Sequence, residues 1–173
     1  MKVLLLFLTL FLFSACSSKN YPPVKHISLK QKRDNLKSEQ LKYHLKKRNA
    51  ITLSLYQSYQ KWKNTPYCYG GSSRDGIDCS SLVQIIYKDA FNISLPRTTK
   101  DQAKMGYKVA KKEIKEGDLI LFKTGYSTHH SGIYLENGNF IHTSTKRGVT
   151  LSNLNNPYWK SKYWQTRRIL PNY

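Results

Sequence analysis

The sequence predicts an α+β domain, with helices first and an antiparallel sheet after, and three observations carry that prediction. Ile51, Leu55, Tyr59 and Trp62 recur at helical spacing in the first half. A loop punctuated by Gly70, Gly71 and Gly76 then leads into a second stretch with an apolar side. The second half changes period to short β-rich runs, two of them joined by Asn137-Gly138, a strong hairpin signal.

Taken in order, residues 1–15 read as a signal peptide: Lys2 supplies the positive start and residues 3–13 are an almost unbroken apolar run. That run is shorter than the about 20 residues a membrane-spanning helix needs. Phe13-Ser14-Ala15-Cys16 resembles a bacterial lipobox, in which the cysteine is lipidated and becomes the mature N-terminus. Ser17 after it, rather than Asp, resembles lipoproteins sent to the outer membrane. The expected location is therefore the cell envelope, lipid-anchored at the outer membrane and facing the periplasm. Residues 16–48 are polar and basic with only a patchy leucine stripe, and they read as a tether with transient helix.

A folded domain is expected over residues 49–173, opening with a helix over 50–62. A second helix is expected from Cys79 to Ala90, with Leu82, Val83, Ile86 and Tyr87 buried and Asp78 as its N-cap. After Pro96 a polar helical stretch is expected to reach Met105. Strands are expected at 118–122, 132–135 and 140–144, with short ones at 149–151 and 168–170.

The formal charge of +19 alone would suggest nucleic acid. An exported chain meets little of it, and an anionic envelope is the better partner. Of the three cysteines, Cys16 is accounted for by lipid, leaving Cys68 and Cys79, which a disulfide could join in an oxidising compartment. The surroundings of Cys79 favour catalysis instead: a helix N-terminus stabilises the thiolate, and His129, His130 and His142 in the sheet half could supply a base. Cys early on a helix and His later on a strand is the papain-like order. Side chains alternate along strands, so the hairpin loop decides which histidine meets His142. A two-residue Asn137-Gly138 loop puts His129 on the face of His142, whereas a three-residue loop through Asn139 puts His130 there.

The stretch YCYGGSSRDGIDCSSLV, residues 67–83, resembles the active-site segment of the NlpC-type cell-wall peptidases. The likeness continues in order through Leu95-Pro96-Arg97 with Gln102, Gly117-Asp118-Leu119, His130-Ser131-Gly132-Ile133-Tyr134 and Phe140-Ile141-His142. Asn156-Pro157-Tyr158-Trp159-Lys160 and Arg167-Arg168 are similar to the closing segment of the family's murein endopeptidase lipoproteins. The resemblance implies a papain-like domain, its N-terminal helices packed on a central antiparallel sheet. It implies Cys79 as nucleophile, His130 as base, His142 as the polar group that orients the base, and Tyr67 as a substrate or oxyanion contact. Arg97 leans towards a structural role. Ser81 departs from the pattern, where glycine is usual.

Implied with these are a peptidoglycan substrate and no cofactor; Cys68 and the three histidines show no compact zinc spacing, and thiol chemistry leaves no role for a metal. A monomer is expected, restrained by proteolysis or by a regulatory protein partner, because an unrestrained wall hydrolase would endanger the cell. The favoured bond is the D-Ala–diaminopimelate cross-link, with γ-D-Glu–diaminopimelate as the alternative. A non-catalytic wall-binding lipoprotein is the competitor from a different class.

Overall fold

The computed structural model describes residues 28–171. The described residues divide at Ser38 into two units. The described part of the first is the opening of a helix, and the sheet and cleft belong to the second. The expectations for the signal peptide and for Cys16 fall outside the described residues.

Helix α1 runs Leu29–Trp62, so the stretch expected as a tether is helical well before residue 50. Residues 29–62 contain neither Gly nor Pro and are rich in good helix formers such as Lys, Leu and Gln. Periodicity missed this part because no described residue before Ile51 is buried, so nothing there selects an apolar stripe. The Ser28 hydroxyl accepts the Gln31 N–H at 3.2 Å, and Arg48 holds Glu116 at 2.6 Å. From Ile51 onward the expected stripe of Ile51, Leu55, Tyr59 and Trp62 is buried.

A two-stranded ribbon, β1 (Ser72–Ser73) with β2 (Gly76–Ile77), carries the glycine loop to α2 (Cys79–Phe91). Asp78 caps α2, its carboxylate accepting the Ser81 N–H at 2.8 Å. Asn92 ends the helix in the left-handed region at φ 54°. The helix expected after Pro96 shrinks to one turn, α3 (Thr99–Gln102), capped by Thr98. The chain leaves α3 at Ala103 and turns at Gly106 (φ 56°), where a Cβ would stand 2.0 Å from the Arg168 carbonyl oxygen.

Strands β3 (Tyr107–Val109), β4 (Leu119–Lys123), β5 (His129–Glu136), β6 (Asn139–Ser144), β7 (Gly148–Asn153) and β8 (Tyr163–Arg168) follow, with α4 (Pro157–Lys162) between the last two. They make one antiparallel sheet in the order β3-β8-β4-β5-β6-β7. The C-terminal strand lies at 163–168 rather than 168–170, and β3 and α4 had no counterpart in the expectation. Their polarity hid them. Tyr-Trp-Gln-Thr-Arg-Arg in β8 lacks an apolar alternation. Its arginines fold back on main-chain and carboxylate oxygens: Arg167 donates to the Met105 and Gly106 carbonyls, and Arg168 clamps Asp118 with two bonds of 2.8 Å.

The sheet has two unlike faces. Leu119, Leu121, Ile133, Leu135 and Ile141 pack with Leu55, Trp62, Leu82 and Ile86 of α1 and α2. Ile120, Phe122, Phe140 and Leu154 form a second layer with Tyr134, Trp159 and Tyr163. Burying each of the fully enclosed Leu, Ile and Phe side chains among these stabilises the fold by about 1.5–3 kcal/mol.

Candidate active site

The site forms where the N-terminus of α2 meets the opening residues of β5, in a cleft of about 1410 Å³ that holds Tyr67, Cys79, His130 and His142 along its walls. Cys79 is the first residue of α2, placed by the Asp78 cap just before it. Burial works against the Asp78 charge, but Arg97, the Ser81 N–H and the Ser80 hydroxyl outweigh it and hold the carboxyl below its usual range. Arg97 donates to both Asp78 oxygens, at 3.1 and 2.6 Å, and to Ser80 at 2.9 Å. Its observed contacts therefore brace the cap, and Asp78 is an ion-paired anion rather than a proton donor.

Burial pushes the Cys79 thiol up, yet it ends lowered, at about 7. The opposing causes are a hydrogen bond from His130 and its charge, the Ser131 backbone N–H, and the Thr99 hydroxyl. Thr99 Oγ1 lies 3.9 Å from the sulfur and 3.4 Å from Ser131 Oγ, so α3 and β5 meet beneath it. The thiolate is the nucleophilic form, and this pocket makes it accessible near neutral pH.

Whether His130 or His129 meets His142 is settled by a feature the sequence reading did not contain. The turn is the two-residue Asn137-Gly138, both at positive φ (52° and 81°). Glu136 pairs with Asn139, but the register then shifts, and Tyr134 pairs with Phe140. The extra residue is Leu135, a bulge. It restores the parity that a three-residue loop would have given, so His130 and His142 share a face. His130 Nε2 lies 3.0 Å from His142 Nδ1, which leaves His130 Nδ1 as the nitrogen available to Cys79. His129 points the other way and packs against Trp164, with ring centroids 5.1 Å apart.

Trp159 of α4 stacks on His130 at 5.3 Å and meets His142 edge-on at 4.9 Å. Phe140 lies 5.0 Å from the His142 ring. The buried His142 has its pKa well below the usual histidine value, first through desolvation and then through the charges of His130 and Arg147. It is a neutral ring near pH 7. Tyr67, half-buried in the cleft lining, has its phenol raised by burial and by the Cys79 and Asp78 charges, so it stays a hydroxyl donor. Among the described residues, no group of three or more His, Cys, Asp or Glu side chains is arranged to hold a metal ion.

The structure thus brings together Cys79, His130, His142 and Tyr67. Sequence reasoning missed Thr99, Ser131, Ser152 and Trp159. Small hydroxyl residues carry no periodic signal, and Ser131 and Trp159 stood out only as members of quoted motifs. Cys68 is free and exposed, and Cys79 is free as well, so the two are not joined by a disulfide. Ser81 is buried with a hydroxyl that finds no partner among the described residues.

Comparison with known proteins agrees with this geometry. The chain is 38% identical over 163 residues to the murein DD-endopeptidase MepS/murein LD-carboxypeptidase of Escherichia coli K12, covering 92% of this chain and 87% of that protein. It is 38% identical over 171 residues to the probable endopeptidase NlpC of the same strain, covering 98% and 100%. Among solved structures, an NlpC/P60 family protein from Bacillus cereus ATCC 10987 superposes with a TM-score of 0.63 at 33% identity. That match covers 69% of this chain and spans only 40% of the larger Bacillus chain. The sequence description of the NlpC/P60 family itself matches residues 64–168, the span from the loop before Tyr67 to the end of β8, and the chain belongs to that family.

Proposed function

We propose that this chain is a peptidoglycan hydrolase, a cysteine peptidase that opens D-Ala–diaminopimelate cross-links between stem peptides. The observation that carries the reading is the alignment of a lowered thiol at a helix N-terminus with two coupled histidines, inside a cleft large enough for a polymeric substrate. The choice of bond leans on similarity to a relative named as a murein DD-endopeptidase.

In the proposed reaction, His130 takes the Cys79 proton and the sulfur attacks the scissile carbonyl. The C–S bond forms as the carbonyl π pair moves onto oxygen, which the Cys79 N–H and the Tyr67 hydroxyl stabilise by donating to it. The C–N bond then breaks, and the leaving amine takes the proton from His130. Water, deprotonated by the same imidazole, releases the acyl group and restores the thiol. His142 accepts from His130 throughout and holds its ring in line.

The same proposal keeps residues 1–15 as a signal, Cys16 as a lipidated N-terminus at the outer membrane, and residues 16–48 as a spacer before the peptidase domain. It rests there on the lipobox-like residues alone. Labelled palmitate should enter the wild-type chain and fail to enter Cys16→Ser.

The main test incubates the purified chain and its Cys79→Ala variant with sacculi and identifies the released muropeptides by mass spectrometry. Loss of cross-linked dimers with intact tetrapeptide monomers establishes the cross-link as substrate. Dipeptide stems would instead assign the γ-D-Glu bond. Identical profiles from both proteins would leave a wall-binding role.

A further inference from the structure

The pair of histidines does not end at His142. Its other ring nitrogen, Nε2, lies 2.8 Å from Ser152 Oγ on β7, and Arg147, from the turn between β6 and β7, donates to the same oxygen at 3.4 Å. The register explains the meeting. Phe140 pairs with Ser152 and His142 with Thr150, so Ser152 is the diagonal neighbour of His142 on the histidine face.

Donor and acceptor rules give this chain one direction. In the proposed reaction His130 carries a proton on Nε2 in both its states, because Nδ1 is the nitrogen that exchanges with the thiol. His142 Nδ1 must therefore accept. A neutral imidazole that accepts at one nitrogen must donate at the other, so His142 needs an acceptor at Nε2. Ser152 can act either way, since a hydroxyl has one proton and two acceptor positions. Arg147 can only donate, so at that contact Ser152 is an acceptor, and its remaining lone pair is open to His142. The opposite arrangement, Ser152 donating to Nε2, would put a proton on His142 Nδ1 facing the His130 N–H.

We propose that Ser152 is a positioning residue for the hydrolase, fixing His142 as the Nε2–H tautomer so that His130 is held against Cys79, with Arg147 biasing the serine towards acceptance. This rests on the reading of Cys79 and His130 as the reacting pair, but its primary readout does not. Nothing in the sequence marked Ser152, since it lies outside every recognisable motif and ten residues beyond His142.

The experiment compares Ser152→Val with Ser152→Thr in the full chain. The two have nearly the same shape and both suit a strand, so they differ in the hydroxyl. Nitrogen-15 spectra of histidine-labelled protein read the tautomer of His142 directly, and sacculus hydrolysis reads kcat and KM. In the wild type, His142 is expected as a single Nε2–H tautomer. Ser152→Val should mix the tautomers and lower kcat about tenfold, the low end of general acid–base contributions being about 10²-fold for the acting group itself, with KM unchanged. Ser152→Thr should restore both. The proposal is overturned if wild-type His142 carries its proton on Nδ1, or if Ser152→Val leaves the tautomer unchanged, whatever happens to kcat. A wild type that hydrolyses nothing would remove the peptidase reading, while the spectra would still decide whether Ser152 sets the tautomer.

Discussion

The two faces of the sheet are built from different materials. The face under α1 and α2 is aliphatic, with Leu119, Leu121, Ile133, Leu135 and Ile141 locked against the helices. The opposite face is aromatic, and His130 and His142 sit in it beside Phe122, Phe140 and Trp159. Aliphatic burial is non-directional and holds the domain together. Flat rings do something else here: they fix the plane of an imidazole while leaving its nitrogens to fixed partners. One face stabilises the fold and the other aims the chemistry, and the two jobs should separate under mutation.

The sharpest break is expected at His130→Ala. It removes the proposed base and should lower kcat about 10²–10⁴-fold, while the melting temperature, followed by circular dichroism, stays within a few degrees. A large loss of stability would mean that the histidine face carries the fold too. The reverse substitution is Leu121→Ala on the aliphatic face, where the side chain is fully buried. Urea unfolding should show a loss of about 2–5 kcal/mol, with kcat per folded molecule within a few-fold of wild type.

A third test sharpens the electrostatics. The Cys79 thiol is lowered to about 7, so the thiolate is present above that pH and is lost as pH falls through it. Alkylation of Cys79, followed by peptide mass spectrometry, should show its midpoint near 7, against about 8.5 for an ordinary thiol. His130→Ala should move that midpoint upward, because its hydrogen bond and charge are the foremost causes that oppose burial. The smallest effect belongs to Ser81, whose buried hydroxyl lacks a partner among the described residues. Ser81→Ala should raise stability by about 1 kcal/mol, since an unmade buried hydrogen bond costs about 1–3 kcal/mol. A destabilisation would show that the hydroxyl is satisfied.

Legibility followed the range of the interaction. The Asp78 cap, the buried side of α2 and strands β4 to β7 were readable because each leaves a mark within a few residues: a cap three positions from its donor, a period of 3.6 or 2, a turn dipeptide. The first half of α1 was not readable by period, because it buries nothing, and β8 was shifted because its polar side chains hide a central strand. Cys79 and the histidines stood out by residue type and motif. Ser131 was seen only as a member of its motif and Thr99 and Ser152 not at all, since a hydroxyl becomes part of a site only through the strand or helix that packs beside it.

By itself the sequence determined an α+β chain with a cysteine opening a helix and histidines on later strands. Strand parity left undecided which histidine faces which, because it changes with a single residue, and the choice of His130 came from the family resemblance alone. Only the tertiary structure placed Leu135 as the extra residue and turned His130 onto the face of His142. A bulge is selected by how a whole strand fits against its neighbours and the helices behind them, and a local pattern holds no record of that fit.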